Sequence, residues 1–103
     1  SSRVAVFLAF LRELASDRVG VYAYLTPYHP LALDAIRSRP RARAGFDRSR
    51  ADLQALFGRA GVPLMDLTDP ATFGATAHEW YDANHMQAPN GARVIDVLRR
   101  RGL

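Results

Sequence analysis

Only two stretches of this chain read as β-strands, and that count constrains every fold available to it. Val19-Gly20-Val21-Tyr22-Ala23-Tyr24-Leu25 is β-branched and aromatic with apolar residues at both alternating positions. That is the pattern of a strand covered on both faces in a parallel sheet. Val62-Pro63-Leu64-Met65-Asp66-Leu67 is the second, and Pro63 is tolerable near its start because first positions and edges can lack a donor. Helical sequence separates the two, so a right-handed parallel crossover is expected. Two parallel strands alone leave both sheet edges open, and parallel sheets are rarely so small or so exposed. The chain is therefore expected to belong to a larger α/β domain or to complete its sheet with a second copy.

The rest of the periodicity is helical. Val4, Phe7, Leu8, Leu11 and Leu14 recur on one face and predict a helix over 3–16, while Val6 and Phe10 widen its apolar surface and call for neighbours on more than one side. Leu31 to Arg37 predicts a short helix with Leu33 and Ile36 inward, after a loop, Tyr28-His29-Pro30, stiffened by prolines. Ser38 to Gly45 has no usable period and reads as a surface loop. Asp47 or Ser49 is placed to cap the next helix, with Leu53, Leu56, Phe57 and Ala60 on one face and Gly61 at its C-terminus. Thr68-Asp69-Pro70 opens a turn or short helix over 71–75. Pro89 suits the first turn of a last helix with Val94, Ile95, Val97 and Leu98 inward and Arg99, Arg100 and Arg101 at its end. The order is α-β-α-α-β-α. Residues 1–103 are read as a single α/β unit, part of a three-layer sandwich about a parallel sheet, of the flavodoxin-like kind.

With 49% hydrophobic residues, the 103-residue chain has enough apolar material for a core. It has no cysteine, which removes disulfides and thiolate zinc sites and leaves the compartment open. The apolar run Val4 to Leu11 is far short of the roughly 20 residues that span a bilayer, so no membrane span is expected. That run lacks a signal-peptide cleavage pattern, and Ser1-Ser2-Arg3 enters a helical pattern at once, as though the chain began inside a larger structure. Localisation is not fixed by any of this.

All fourteen basic residues are arginine, for a formal charge of +4. Arg37, Arg39, Arg41, Arg43, Arg48 and Arg50 form the densest cluster, a candidate phosphate-binding surface. Stacking on single-stranded nucleic acid needs interleaved aromatics, and only Phe46 qualifies. Arginine without lysine reads more simply as coding bias over a solvated face. Nucleic acid is disfavoured, and a non-catalytic module binding an anionic partner stands as the alternative function, beside a domain whose function the sequence does not disclose.

The chemistry concentrates in Trp80-Tyr81-Asp82-Ala83-Asn84-His85. In open parallel α/β sheets, ligands bind beyond the carboxyl ends of the strands. Thr26 to His29 follows the first strand, Asp66 to Asp69 follows the second, and Asp82 to His85 precedes the last helix, so the three segments are expected on one rim. With two residues between them, Asp82 can accept from His85 Nδ1–H and leave Nε2 to take a proton from a nucleophile. Tyr28, His29 and Asn84 are candidate substrate contacts. The plain alternative is a loop aspartate and histidine satisfying nearby backbone groups.

Asp82-x-x-His85 before a final helix, with Gly91 soon after, resembles the last block of the SGNH (GDSL-like) hydrolase superfamily of esterases, lipases and carbohydrate O-acetyl esterases and transferases. Tyr24-Leu25-Thr26-Pro27-Tyr28-His29-Pro30 and Gly61 to Asp66 are similar to the family's later strands, so the resemblance spans nearly the whole chain. It implies a C-terminal portion of an SGNH-like domain that supplies Asp82 and His85 to a Ser-His-Asp triad, needs no cofactor or metal, and acts on an acyl ester, carbohydrate-linked in some members. The departures are specific. His85 to Gly91 is a residue longer than in common members, and no Gly-Asp-Ser or Gly-x-Asn-Asp occurs. None of Ser1, Ser2, Ser16, Ser38 and Ser49 sits on a strand-to-helix elbow. The nucleophile and most oxyanion donors would come from a missing N-terminal half, and the chain alone is expected to be inactive.

A metal site is the last alternative. His78, Asp82 and His85 would share one face if they lay on a continuous helix, but Asn84 and Pro89 argue for a loop, and His78-Glu79-Trp80-Tyr81-Asp82 is not the His-Glu-x-x-His of zinc proteases.

Overall fold

The computed structural model describes residues 2–101; Ser1 lies outside them. Helix α1 (Ser2–Ser16) leads to β1 (Ala23–Leu25), then α2 (Pro30–Arg37) and α3 (Pro40–Ala60), β2 (Leu64–Asp66), a 3-10 turn (Pro70–Phe73) and α4 (Ala88–Arg100). The fold is mixed α/β and mostly helical. Its sheet is a parallel pair with Ala23 opposite Leu64, Tyr24 opposite Met65 and Leu25 opposite Asp66. The Pro63 carbonyl accepts from Ala23 N–H at 3.2 Å, so the proline costs the ladder nothing at the position it occupies.

Both strands are shorter than their sequence patterns. Val19, Tyr22 and Tyr24 are exposed, so the apolar character on both faces of the first stretch is not matched by cover on both faces. The turn before it explains part of the shortening. Arg18 takes a left-handed conformation at φ 59°, and Val19 N–H returns to the Leu14 carbonyl at 2.9 Å, a Schellman-type ending with arginine where glycine usually sits.

Helix α3 starts well before the expected cap at Asp47 or Ser49. Pro40 occupies its first turn, where a missing N–H costs nothing, and extended Arg39 precedes it. Arg41-Ala42-Arg43-Ala44 has no apolar period because its face is solvated, yet alanine and arginine are among the best helix formers. Of the stretch read as a loop, 40–45 is therefore helix, and only Ser38 and Arg39 connect α2 to it. At the other end Gly61, at φ 69°, caps the helix as expected.

The core lies on one side of the sheet. Leu67, Phe73, Val94, Val97 and Leu98 pack together, with Met65, Ala75 and Met86 against them. Ile95, expected inward, is exposed on α4. On the other side α3 packs against α1, α2 and β2. Phe7 meets Phe57 edge-to-face at 5.6 Å. Only Leu11 of α1 is buried, so the neighbours its sequence calls for are not supplied within the described residues. Among the described residues, no helix is long and apolar enough to cross a membrane.

Candidate functional site

The three predicted segments do meet. Tyr28 N–H donates to the Thr68 carbonyl at 3.1 Å, joining the loop after β1 to the loop after β2. His29 N–H donates to the Ala83 carbonyl at 2.7 Å, joining the same loop to the Asp82–His85 turn. The rim is thus stitched by backbone hydrogen bonds beyond the carboxyl ends of both strands.

The Asp82–His85 turn is built from its own atoms. An isolated antiparallel bridge pairs Trp80 with Met86, and Tyr81 N–H closes on the His85 carbonyl at 2.8 Å. Inside it, Asp82 Oδ1 accepts from the backbone N–H groups of Asn84 at 3.0 Å and His85 at 2.9 Å. The same carboxylate lies 2.8 and 2.7 Å from His85 Nδ1. A carboxylate only accepts, so Nδ1 carries the hydrogen, and in the neutral ring Nε2 is left with its lone pair. Hydrogen bonds from Asn84 N–H and the His85 ring hold the Asp82 carboxyl below its usual range, with His85 N–H adding to them. The side chains remain 57% and 71% exposed.

The turn is anchored from beneath. Asn90, fully buried at 0% exposure in the first turns of α4, donates to the carbonyls of Thr76 at 3.1 Å and Glu79 at 2.9 Å and accepts from Thr76 N–H at 3.1 Å. Trp80 is buried, with Nε1–H on the Thr76 carbonyl at 2.9 Å. Glu79 pairs with Arg93 of α4. Sequence reasoning missed Asn90. Asparagine in a first turn is ordinary, and nothing in its neighbours signals that both ends of its amide are used.

His29 is placed beside the site but is already committed. Its Nδ1 accepts from Leu31 N–H at 3.1 Å, capping α2, and its Nε2–H donates to the Ala77 carbonyl at 3.0 Å. Its ring meets Trp80 edge-on at 5.7 Å. Tyr28 packs edge-to-face on Phe46 at 5.6 Å, and Asn84 is exposed on the turn. An open depression of about 370 Å³ lies between α2 and the turn, lined by His29, Leu31, Ala77, Trp80, Tyr81 and Asp82 among others.

Asp66, at the end of β2, is held for structure. Burial works to raise its carboxyl, but hydrogen bonds from the Thr68 hydroxyl and N–H, with the Arg50 guanidinium, bring it below its usual range. Gly91 sits inside α4 with open space where a Cβ would go, so no packing demands glycine there. The helix that would align His78, Asp82 and His85 does not form, and among the described residues no three histidine or acidic side chains gather to hold a metal. In the arginine cluster, Arg37 pairs with Asp69, Arg43 with Asp47, and Arg50 with Asp47 and Asp66. Arg39, Arg41 and Arg48 form no ion pair among the described residues. No protein-family model, curated protein or solved structure matches the chain.

Proposed function

We propose that this chain is the C-terminal segment of an SGNH-like esterase or O-acyltransferase, in which Asp82 orients His85 as the general base of a Ser-His-Asp triad. The observation that carries the reading is the Asp82 carboxylate on His85 Nδ1 at 2.7 Å, with the histidine side chain exposed. His85 Nε2 takes the proton of a serine hydroxyl as that oxygen attacks an ester carbonyl, then returns it to the leaving alcohol. Water releases the acyl group in an esterase; an acceptor hydroxyl takes it in a transferase. The serine and its oxyanion donors come from an upstream half of the same protein, which extends the sheet past the open edge of β1 into a three-layer sandwich. Cover from that half also dries an exposed dyad, which strengthens its electrostatics. The depression bounded by Leu31, Trp80 and Tyr81 holds part of the ester, carbohydrate-linked where Tyr81 packs on a sugar face.

The test is made on the protein with its upstream half. A strand followed by a nucleophilic serine is expected there, with cleavage of a short-chain acyl ester. His85→Ala should lower kcat on the order of 10⁴- to 10⁶-fold, the range seen when triad members are removed. Retained activity in that variant, or no serine block upstream, removes the proposal. The 103-residue chain alone should show no turnover.

The second reading, a basic module for an anionic partner, rests on Arg39, just before α3, and Arg41 and Arg48 on it, all exposed without ion-pair partners among the described residues. Its affinity for a polyanion would fall steeply with salt. Weak binding with a flat salt dependence ends it.

A further inference from the structure

Helix α1 carries a stripe that the fold leaves bare. Arg3, Val6, Phe10 and Glu13 are spaced three, four and three residues apart and so share one side of the helix. Val6 is 70% and Phe10 52% exposed, and with Ser2, Arg3 and Phe7 they line an open groove of about 400 Å³. Neither Arg3 nor Glu13 forms an ion pair among the described residues.

The spacing is palindromic in both chemistry and distance. We propose that α1 docks antiparallel on α1 of a second copy of this chain, about a two-fold axis passing between Val6 and Phe10. Val6 then packs on the partner's Phe10, and Arg3 meets the partner's Glu13, each contact made twice as an isologous interface requires. The helix ends argue the same way. Helix α1 has no acidic residue in its first turn and no basic residue in its last, so neither end of its dipole is compensated within its own helix. The antiparallel partner brings Glu13 to the N-terminal end and Arg3 to the C-terminal end, the two placements that stabilise a helix dipole. This surface lies apart from the Asp82–His85 turn, and the pairing does not depend on the hydrolase reading.

One helix pair is a small interface, so a dimer with Kd on the order of tens of micromolar is expected. Sedimentation equilibrium of the 103-residue chain measures it, and the variants sit on exposed positions that leave the circular dichroism melt unchanged. Val6→Asp or Phe10→Asp should yield monomer throughout the same concentration range. Arg3→Glu or Glu13→Arg alone should weaken association about tenfold, and the double variant R3E/E13R should recover it to within about threefold, as a double-mutant cycle on a direct pair requires. A dimer joined through the open β1 edge would ignore all four substitutions, and that result overturns the proposal. So does a chain that stays monomeric at a few hundred micromolar, the outcome if some other segment covers the stripe.

Discussion

The two sides of the sheet are finished to different degrees. On the α4 side, Leu67, Phe73, Val94, Val97 and Leu98 form a closed core, and Asn90, Trp80 and the Glu79–Arg93 pair tie the 76–87 loop down on it. On the α1 side, Val6 and Phe10 face solvent, and a single residue of a fifteen-residue helix is buried. The difference teaches where each kind of information resides. The side holding the candidate site builds its geometry from its own residues, whereas the other side leaves apolar positions of α1 uncovered within the described residues.

Substitutions should reproduce that asymmetry. Leu67→Ala, at 1% exposure, should destabilise by about 3 kcal/mol in urea unfolding, while Val6→Ser on α1 should stay within about 0.5 kcal/mol. Equal costs would break the contrast. Asn90→Ala comes next, because it leaves the Thr76 N–H without its acceptor and takes one of two donors from each of the Thr76 and Glu79 carbonyls beneath the turn. A loss of about 2 kcal/mol is expected, with His85 resonances shifted although His85 does not touch Asn90.

Acid should act first at the rim beyond the strands. Asp66 and Asp82 both have carboxyls held below the usual range in the fold. Their contribution to stability is complete above the unfolded carboxylate value near 3.9 and is lost as pH falls through the lower folded values. Carboxyl-carbon NMR should place both midpoints below 3.8, and amides of 66–68 and 82–85 should shift with them. Midpoints at or above that value contradict the hydrogen-bonding account. The smallest effect is on the unfinished side: Arg18→Gly relieves a left-handed arginine and should stabilise by about 0.5 kcal/mol.

What could be read from the sequence follows the same division. Elements whose apolar period faces the local core, such as α4 through Val94, Val97 and Leu98, were legible because burial writes the pattern. The convergence of three loops on one rim was legible from strand polarity alone, and the Asp82–His85 contact from its spacing. The front half of α3 was not, because Arg41 to Ala44 is solvated all round and carries propensity without period. Neither was the lack of cover on α1, since an apolar stripe predicts a neighbour without saying where it comes from. The role of His29 escaped for another reason: a histidine between prolines looks free in sequence, and only the fold reveals that the Leu31 and Ala77 backbones use both ring nitrogens.

The central claim is that Asp82 fixes His85 with its hydrogen on Nδ1, leaving Nε2 available as a base. Long-range proton–nitrogen NMR on the 103-residue chain, at a pH about two units above the ordinary imidazole value near 6.5, reads the tautomer directly. The account predicts that His85 is dominantly the Nδ1–H form and that Asp82→Asn removes this preference, while His29 stays Nε2–H in both proteins. A dominant Nε2–H form at His85, or an averaged pair of tautomers unchanged by Asp82→Asn, would contradict it.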